Sequence, residues 1–220
     1  MKNVVIFGTG MLAQVFHAAL TDDSPYDVCA FTVHERHVRE PRLMDLEVVP
    51  FEKIEMKYPP DEFAMMIAVG YKRVNRARAE IYSECKRKGY HLISHRSTSA
   101  SLQGHVELGE NSFIGDNCVI RTFTRIGNNV VVGGGCYIGQ HTVIGDHCFV
   151  SQCASLGGNI QVEPYSFIGQ NATIRNFVHI AANCVIGAGT VILADTKENE
   201  VYKATGTELL GIPSYKLRDI

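Results

Sequence analysis

From Leu102 to Ile192 every sixth residue is Leu, Ile or Val, sixteen times without a gap. An α-helix repeats near 3.6 residues and a strand at two, so neither accounts for a period of six. A chain that bends every six residues does. A second series stands two residues before each aliphatic and is mostly small, including Cys118, Thr124, Cys136, Thr142, Cys148, Ala154 and Cys184. Glycine follows the aliphatic at Gly109, Gly115, Gly127, Gly133, Gly139, Gly145, Gly157, Gly169 and Gly187. Three six-residue sides close one triangular coil of 18 residues, with the aliphatics stacked inside and the small class near the corners. Glycine is expected to relieve the backbone at the bends. Coils separated by the strand spacing of about 4.8 Å make a prism roughly 25 Å long. No insertion interrupts the period, so no long loop leaves it.

The first 96 residues obey other rules. Apolar runs at residues 3–7, 27–32, 46–50 and 63–69 alternate with helix-like stretches at 11–20 and 73–87, and residues 91–94 form a last short strand. Alternating strands and helices predict a small parallel α/β domain. The fold class is thus an α/β domain followed by an all-β prism: a Rossmann-like nucleotide- or sugar-binding domain at 1–97, a repeat domain at 98–195, and a C-terminal loop and tail at 196–220. A formal charge of −2 leaves no electrostatic footprint for nucleic acid. No apolar run is long enough to span a membrane, and the N-terminus lacks the marks of a signal peptide. A cytoplasmic protein is expected. Of seven cysteines, Cys118, Cys136, Cys148 and Cys184 fall in the small inward class, and no CxxC spacing occurs, which predicts unpaired structural thiols and no metal.

Gly8, Thr9 and Gly10 stand where a strand feeds a helix, the place where parallel α/β domains hold phosphates on free backbone N–H groups. The third glycine of GxGxxG is absent, since residue 13 is Ala, and no acidic residue closes the second strand. A mononucleotide or nucleotide-sugar fits this half-domain better than NAD; a purely structural turn is the alternative. Tyr71 and Lys72, with Arg73 and Arg76, form a basic cluster that faces either phosphate or solvent.

A prism without insertions has no cleft of its own, so a pocket must form between subunits or against the α/β domain; a homotrimer is expected. Residues 138–151 (IGQHTVIGDHCFVS), 154–160 (ASLGGNI), 168–174 (IGQNATI) and 184–190 (CVIGAGT) resemble PglD/NeuD-type sugar acetyltransferases over nearly the whole chain. The resemblance implies a left-handed parallel β-helix and a trimer. It also implies acetyl transfer from acetyl-CoA to an amino or hydroxyl group of a nucleotide-linked sugar, in surface polysaccharide or glycan biosynthesis.

The family places its general-base His two residues after the inward aliphatic. Here that residue is Gln140, which has no usable basicity; His141 follows and is the candidate base. The resemblance assigns the Gly158 N–H, one coil above Gln140, to the oxyanion. In the family the stretch around His147 borders the sugar site, and Gln140 is a further candidate for contact with the sugar. Gly157 and Gly158 let a bulky ligand approach the backbone, and the resemblance places Gly169, Asn171, Gly187 and Gly189 in the acetyl-CoA region. Lys197, Lys203, Lys216 and Arg218 are candidates for its phosphates, and Asp146 for orienting a His across an interface. Two other readings stay open: a non-catalytic nucleotide-sugar-binding or scaffold protein, suggested by Gln140, and a carbonic-anhydrase-like metalloenzyme using His141 and His147.

Overall fold

The computed structural model of this chain describes residues 2–206, with Gly211 and Pro213. The α/β part runs β1 (Asn3–Phe7), α1 (Met11–Asp22), β2 (Asp27–Val33), β3 (Arg42–Leu43), β4 (Leu46–Pro50), β5 (Ala64–Ile67) and α2 (Arg76–Arg87). Its sheet has the order β3-β4-β2-β1-β5; every pairing is parallel except the β3–β4 hairpin. β1 is apolar throughout because it is covered on both sides. Val4 and Ile6 pack with Phe16 and Leu20 of α1. Val5 and Phe7 pack with Phe51, Ile54, and Ile81 and Cys85 of α2. α2 starts three residues later than the sequence predicts. Arg73, Val74 and Asn75 take left-handed backbone (φ 54°, 50° and 64°) and cannot continue into a right-handed helix.

The second part is a left-handed parallel β-helix. Each strand is two residues long and pairs with those 18 residues away, as Val119–Ile120 does with Ser101–Leu102 and Tyr137–Ile138. The three faces carry six, five and seven strands. His95–Arg96 already belongs to the seven-strand face, and Val201–Tyr202, inside the segment expected to be loop and tail, closes its other end. The aliphatic series fills the interior. The small series does more than save space: Ser112, Thr124, Thr142 and Ser166 each donate a hydroxyl to the carbonyl 15 residues on, and Cys118, Cys136 and Cys148 offer their thiols likewise. A corner carbonyl turned inward is thereby satisfied.

The glycines act differently from the expectation. Left-handed backbone falls three residues after the aliphatic, at residues such as Asn111, Asn129, His141, His147, Asn159 and Asn171. The glycine directly after the aliphatic has no positive φ; it is needed for coil-to-coil approach. A side-chain carbon on Gly139 would lie 2.5 Å from the Gly157 carbon and the Gly158 nitrogen.

One face of the prism is apolar on the outside as well. Phe113, Val131 and Phe149 of the seven-strand face are buried with α1, and Phe16 stacks on Phe113 at 4.1 Å. α2 seals the adjoining edge through Arg78, which is 0% exposed. Its guanidinium donates to the carbonyls of Val69, Gly70, Asn129, His147 and Cys148 and to Asn75 Oδ1. Asn75, also buried, donates to the carbonyls of Tyr165 and Ser166.

Candidate active site

The prism has three edges, and the candidate residues divide among them. The first edge, between the six- and five-strand faces, carries Gln140, His141, Gly157 and Gly158. The strand Tyr137–Ile138 ends at Gly139, and His141 turns the corner at φ 57°, its N–H donated to the Thr122 carbonyl at 3.2 Å. Its ring stacks on Phe123 at 4.9 Å, and His105 stacks on Phe123 from the other side at 5.7 Å. His141 and Gln140 are exposed, Phe123 is 50% exposed and Phe177, further along the same column, 75%. A left-handed backbone costs a branched or ring-bearing residue about 1 kcal/mol more than Asn or Gly, and such costs collect at functional sites. In this column the left-handed residue is Phe123, His141, Asn159 and Phe177, so three of its four left-handed corners carry a ring where Asn would be less strained.

Gly158 stands over Gln140 as the 18-residue spacing predicts, and a side-chain carbon built on it would lie 3.0 Å from Gln140 Nε2. Its N–H is not free, however: it donates to Asn176 Oδ1 at 3.0 Å. The oxyanion donor expected at Gly158 is therefore already occupied.

The second edge carries His147, half-buried beneath α2. Its ring meets Tyr82 of α2 at 5.4 Å and Tyr165 at 4.9 Å. A ladder of side-chain amides leads to it from the sheet. The Ile67 N–H of β5, which can only donate, goes to Asn111 Oδ1 at 2.8 Å. Asn111 Nδ2 then donates to Asn129 Oδ1 at 2.7 Å, and Asn129 Nδ2 meets His147 Nδ1 at 2.8 Å. The backbone donor fixes the direction of the whole ladder, so Nδ1 accepts and the proton of the neutral ring sits on Nε2. Burial holds the His147 pKa below the usual imidazole range; the Arg78 charge acts in the same sense and Asp146 opposes it. Asp146 Oδ1 accepts the Asn128 N–H at 2.7 Å and is committed to its own protomer.

The third edge carries Gly169, Asn171, Gly187 and Gly189. Asn171 and Gly189 turn the corners at φ 55° and 67°, with N–H groups donated to the Gln152 and Gln170 carbonyls. Beside this edge a groove of about 410 Å³ runs between α1 and the prism, with Leu12, Val15, Phe113 and Val131 on its floor and Gly133, Gly134 and Gln152 on its prism side. Lys197 and Lys203 are exposed; Lys216 and Arg218 lie outside the described residues.

In the α/β part Gly8, at φ 133°, brings its backbone against Ala68, whose carbonyl oxygen would lie 2.6 Å from a side-chain carbon there. Gly10 caps α1 with extended backbone and no side-chain hydrogen bond. Uncapped N–H groups at the start of α1 suit an anion. Tyr71, over half exposed, seats its ring 4.7 Å from Phe167 and 5.2 Å from Phe149. Arg73 is paired with Glu80 and Arg76 donates to Asn183 Oδ1, whereas the Lys72 side chain has neither an ion pair nor a hydrogen bond among the described residues.

The structure thus groups Gln140, His141, Gly157 and Gly158, and separately Tyr71 with the seven-strand face. His147 and the Gly169–Gly189 column stand on other edges. Sequence reading missed Arg78, Asn75 and Asn176. It also missed the covered face, whose signal was present: the residue before the inward aliphatic is Phe113, Val131, Phe149 and Phe167 on one side, but Glu107, Arg125, Val143 and Gln161 on another.

These features define a hexapeptide-repeat β-helix capped by a small parallel α/β domain. The bacterial transferase hexapeptide model matches residues 123–158 and 159–194, and the hexapeptide repeat of succinyl-transferase matches 105–140. No curated protein matches the sequence. Among solved structures, the acetyltransferase domain of PglB from Neisseria gonorrhoeae is 20% identical with a TM-score of 0.81, over 91% of this chain and 96% of that one. PerB from Caulobacter crescentus, solved with CoA and GDP-perosamine, is 23% identical with a TM-score of 0.80, over 91% of each chain. WeeI from Acinetobacter baumannii is 19% identical with a TM-score of 0.58, over 90% of this chain and 93% of that one. The likeness in fold to these structures extends over both the α/β part and the repeat part of the chain.

Proposed function

We propose that this chain is an acetyl-CoA-dependent acyltransferase acting on an amino or hydroxyl group of a nucleotide-linked sugar, in cytoplasmic steps of surface polysaccharide or glycan assembly. The observation that carries the reading is the shared two-part fold with PerB, whose structure holds CoA and GDP-perosamine. The division of candidate residues among edges supports a homotrimer. His141 faces away from its own α/β domain, so it meets a nucleotide-sugar held by Gly8, Thr9, Gly10, Tyr71 and Lys72 only if that domain belongs to another copy. Likewise acetyl-CoA touches both Gly157–Gly158 and the column of Gly169, Asn171, Gly187 and Gly189 only when two edges from different copies face each other.

In this arrangement His141 takes the proton of the sugar amine or hydroxyl as it attacks the thioester carbon. A C–N or C–O bond forms, the C–S bond breaks, and the proton passes from His141 to the departing thiolate. No covalent enzyme intermediate is needed: burial pushes the Cys148 thiol up to about 12, and exposed Cys153 meets only the Gly134 carbonyl, with no base beside it among the described residues.

The test is release of free thiol from acetyl-CoA on a panel of nucleotide-linked amino sugars. Turnover with at least one supports the reading; its absence across the panel, with the sugar nucleotide still bound, favours the non-catalytic binding protein that Gln140 suggests.

A further inference from the structure

Backbone N–H groups at the corners differ in whether a side chain caps them. Three N–H groups at the second residue of a corner are capped by the side chain one coil above: Glu110 by Asn128, Asn128 by Asp146, and Gly158 by Asn176. The cap on Gly158 shapes the sequence beneath it. A side-chain carbon on Gly157 would lie 2.0 Å from Asn176 Oδ1, so any larger residue at 157 evicts the cap. The two glycines therefore make room for side chains of this protomer, Asn176 above and Gln140 below.

Gln140 is in the opposite condition. The residue above it is Gly158, which has no side chain to cap it, and the Gln140 N–H has no partner among the described residues. Its carboxamide folds into the space Gly158 leaves, is exposed, and has no hydrogen-bond partner among the described residues. It is an uncommitted side-chain N–H donor adjoining His141 in sequence. Gln cannot accept a proton from the nucleophile, but its N–H₂ can donate to a developing oxyanion, and a single side-chain amide in that role is worth 10²–10³ in kcat in other acyl-transfer sites.

Building on the acyl-transfer reading, we propose that Gln140 is the catalytic oxyanion donor and that Asn176 withholds the Gly158 N–H from that role. The attacking sugar group and the thioester carbon form the new bond while His141 takes the proton. The carbonyl oxygen becomes an oxyanion against Gln140 Nε2, and collapse expels the CoA thiolate.

The experiment uses the full-length protein and measures thiol release and the carbonyl stretch of bound acetyl-CoA. Gln140→Ala is expected to lower kcat about 100-fold with KM for acetyl-CoA changed less than about 3-fold, and to shift the carbonyl stretch back toward its frequency in water. Adding Asn176→Ala to that variant frees the Gly158 N–H and is expected to restore activity about 10-fold or more. Gln140 is exposed, so the melting temperature of Gln140→Ala should stay at the wild-type value. Wild-type kcat and an unshifted carbonyl stretch in Gln140→Ala would overturn the assignment while leaving acyl transfer intact. A wild-type protein that releases no thiol overturns the acyl-transfer reading, and the donor role falls with it.

Discussion

Arg78 offers the sharpest test of how the two parts of the chain are joined. Replacing it by Met keeps much of the side-chain volume and removes every donor. The carbonyls of Val69, Gly70, Asn129 and His147 have no other donor among the described residues, whereas Cys148 O also accepts the Val131 N–H. A buried acceptor left without a partner costs about 1–3 kcal/mol; the Asn129 carbonyl is buried and the other three are partly buried, which keeps the four near the low end, roughly 6 kcal/mol in all. Against this, burial lowers the Arg78 pKa to about 10, a penalty of about 3 kcal/mol on the charged form that vanishes with the guanidinium. The net expectation for Arg78→Met is a loss of about 3 kcal/mol. Arg78→Lys should be no better, because an ammonium keeps the buried charge but cannot reach a fan of carbonyls with three donors on one atom. Urea denaturation at fixed protein concentration gives the loss. Hydrogen exchange should place it in α2 and residues 70–75 rather than in the prism coils. An Arg78→Lys protein within about 0.5 kcal/mol of wild type, against the expected loss, would refute the reasoning, since charge alone would then suffice.

Three further outcomes are expected. His141→Asn should lower kcat by 10²-fold or more while leaving stability equal or higher by up to about 1 kcal/mol, because Asn tolerates the left-handed corner better than His; parallel turnover and melting measurements separate the two effects. The folded-state pKa of His147 is depressed, so its neutral form contributes stability that is present above the unfolded value near 6.5 and is lost as pH falls through the lower folded value. Melting curves from pH 8 to 5 should therefore fall less steeply for His147→Asn than for wild type. Gly139→Ala should destabilise by about 3 kcal/mol or more, since the added carbon meets backbone of the next coil that cannot give way; a melting temperature within about 2 °C of wild type would contradict this.

The candidate site was legible in the sequence only in part. The corner of Gln140 and His141, and the stacking of Gly158 over Gln140, follow from counting by six and eighteen. The capping of Gly158 by Asn176 does not, because the same spacing brings many side chains one coil apart and only packing decides which of them reach back. The turn at Gly8 and Gly10 was visible as a strand–glycine–helix pattern, yet its separation from His141 within one protomer became visible only when the α/β part was seen against the opposite side of the prism.

What the amino-acid order determined alone is the repeating part. A period of six with aliphatic and small residues in fixed places has one compact solution, because each coil meets the same demands as the last and its neighbours lie at a constant 18 residues. The order of strands and helices likewise implied a parallel α/β layer. Tertiary structure alone decided which prism face that layer covers, where α2 begins, and which edge each candidate residue occupies. Those outcomes rest on contacts with no period, such as Arg78 with Asn129 across 51 residues and Asn75 with Ser166 across 91. Each exists only once two independently formed surfaces have met, and the free energy of that meeting is shared among groups that no local pattern links.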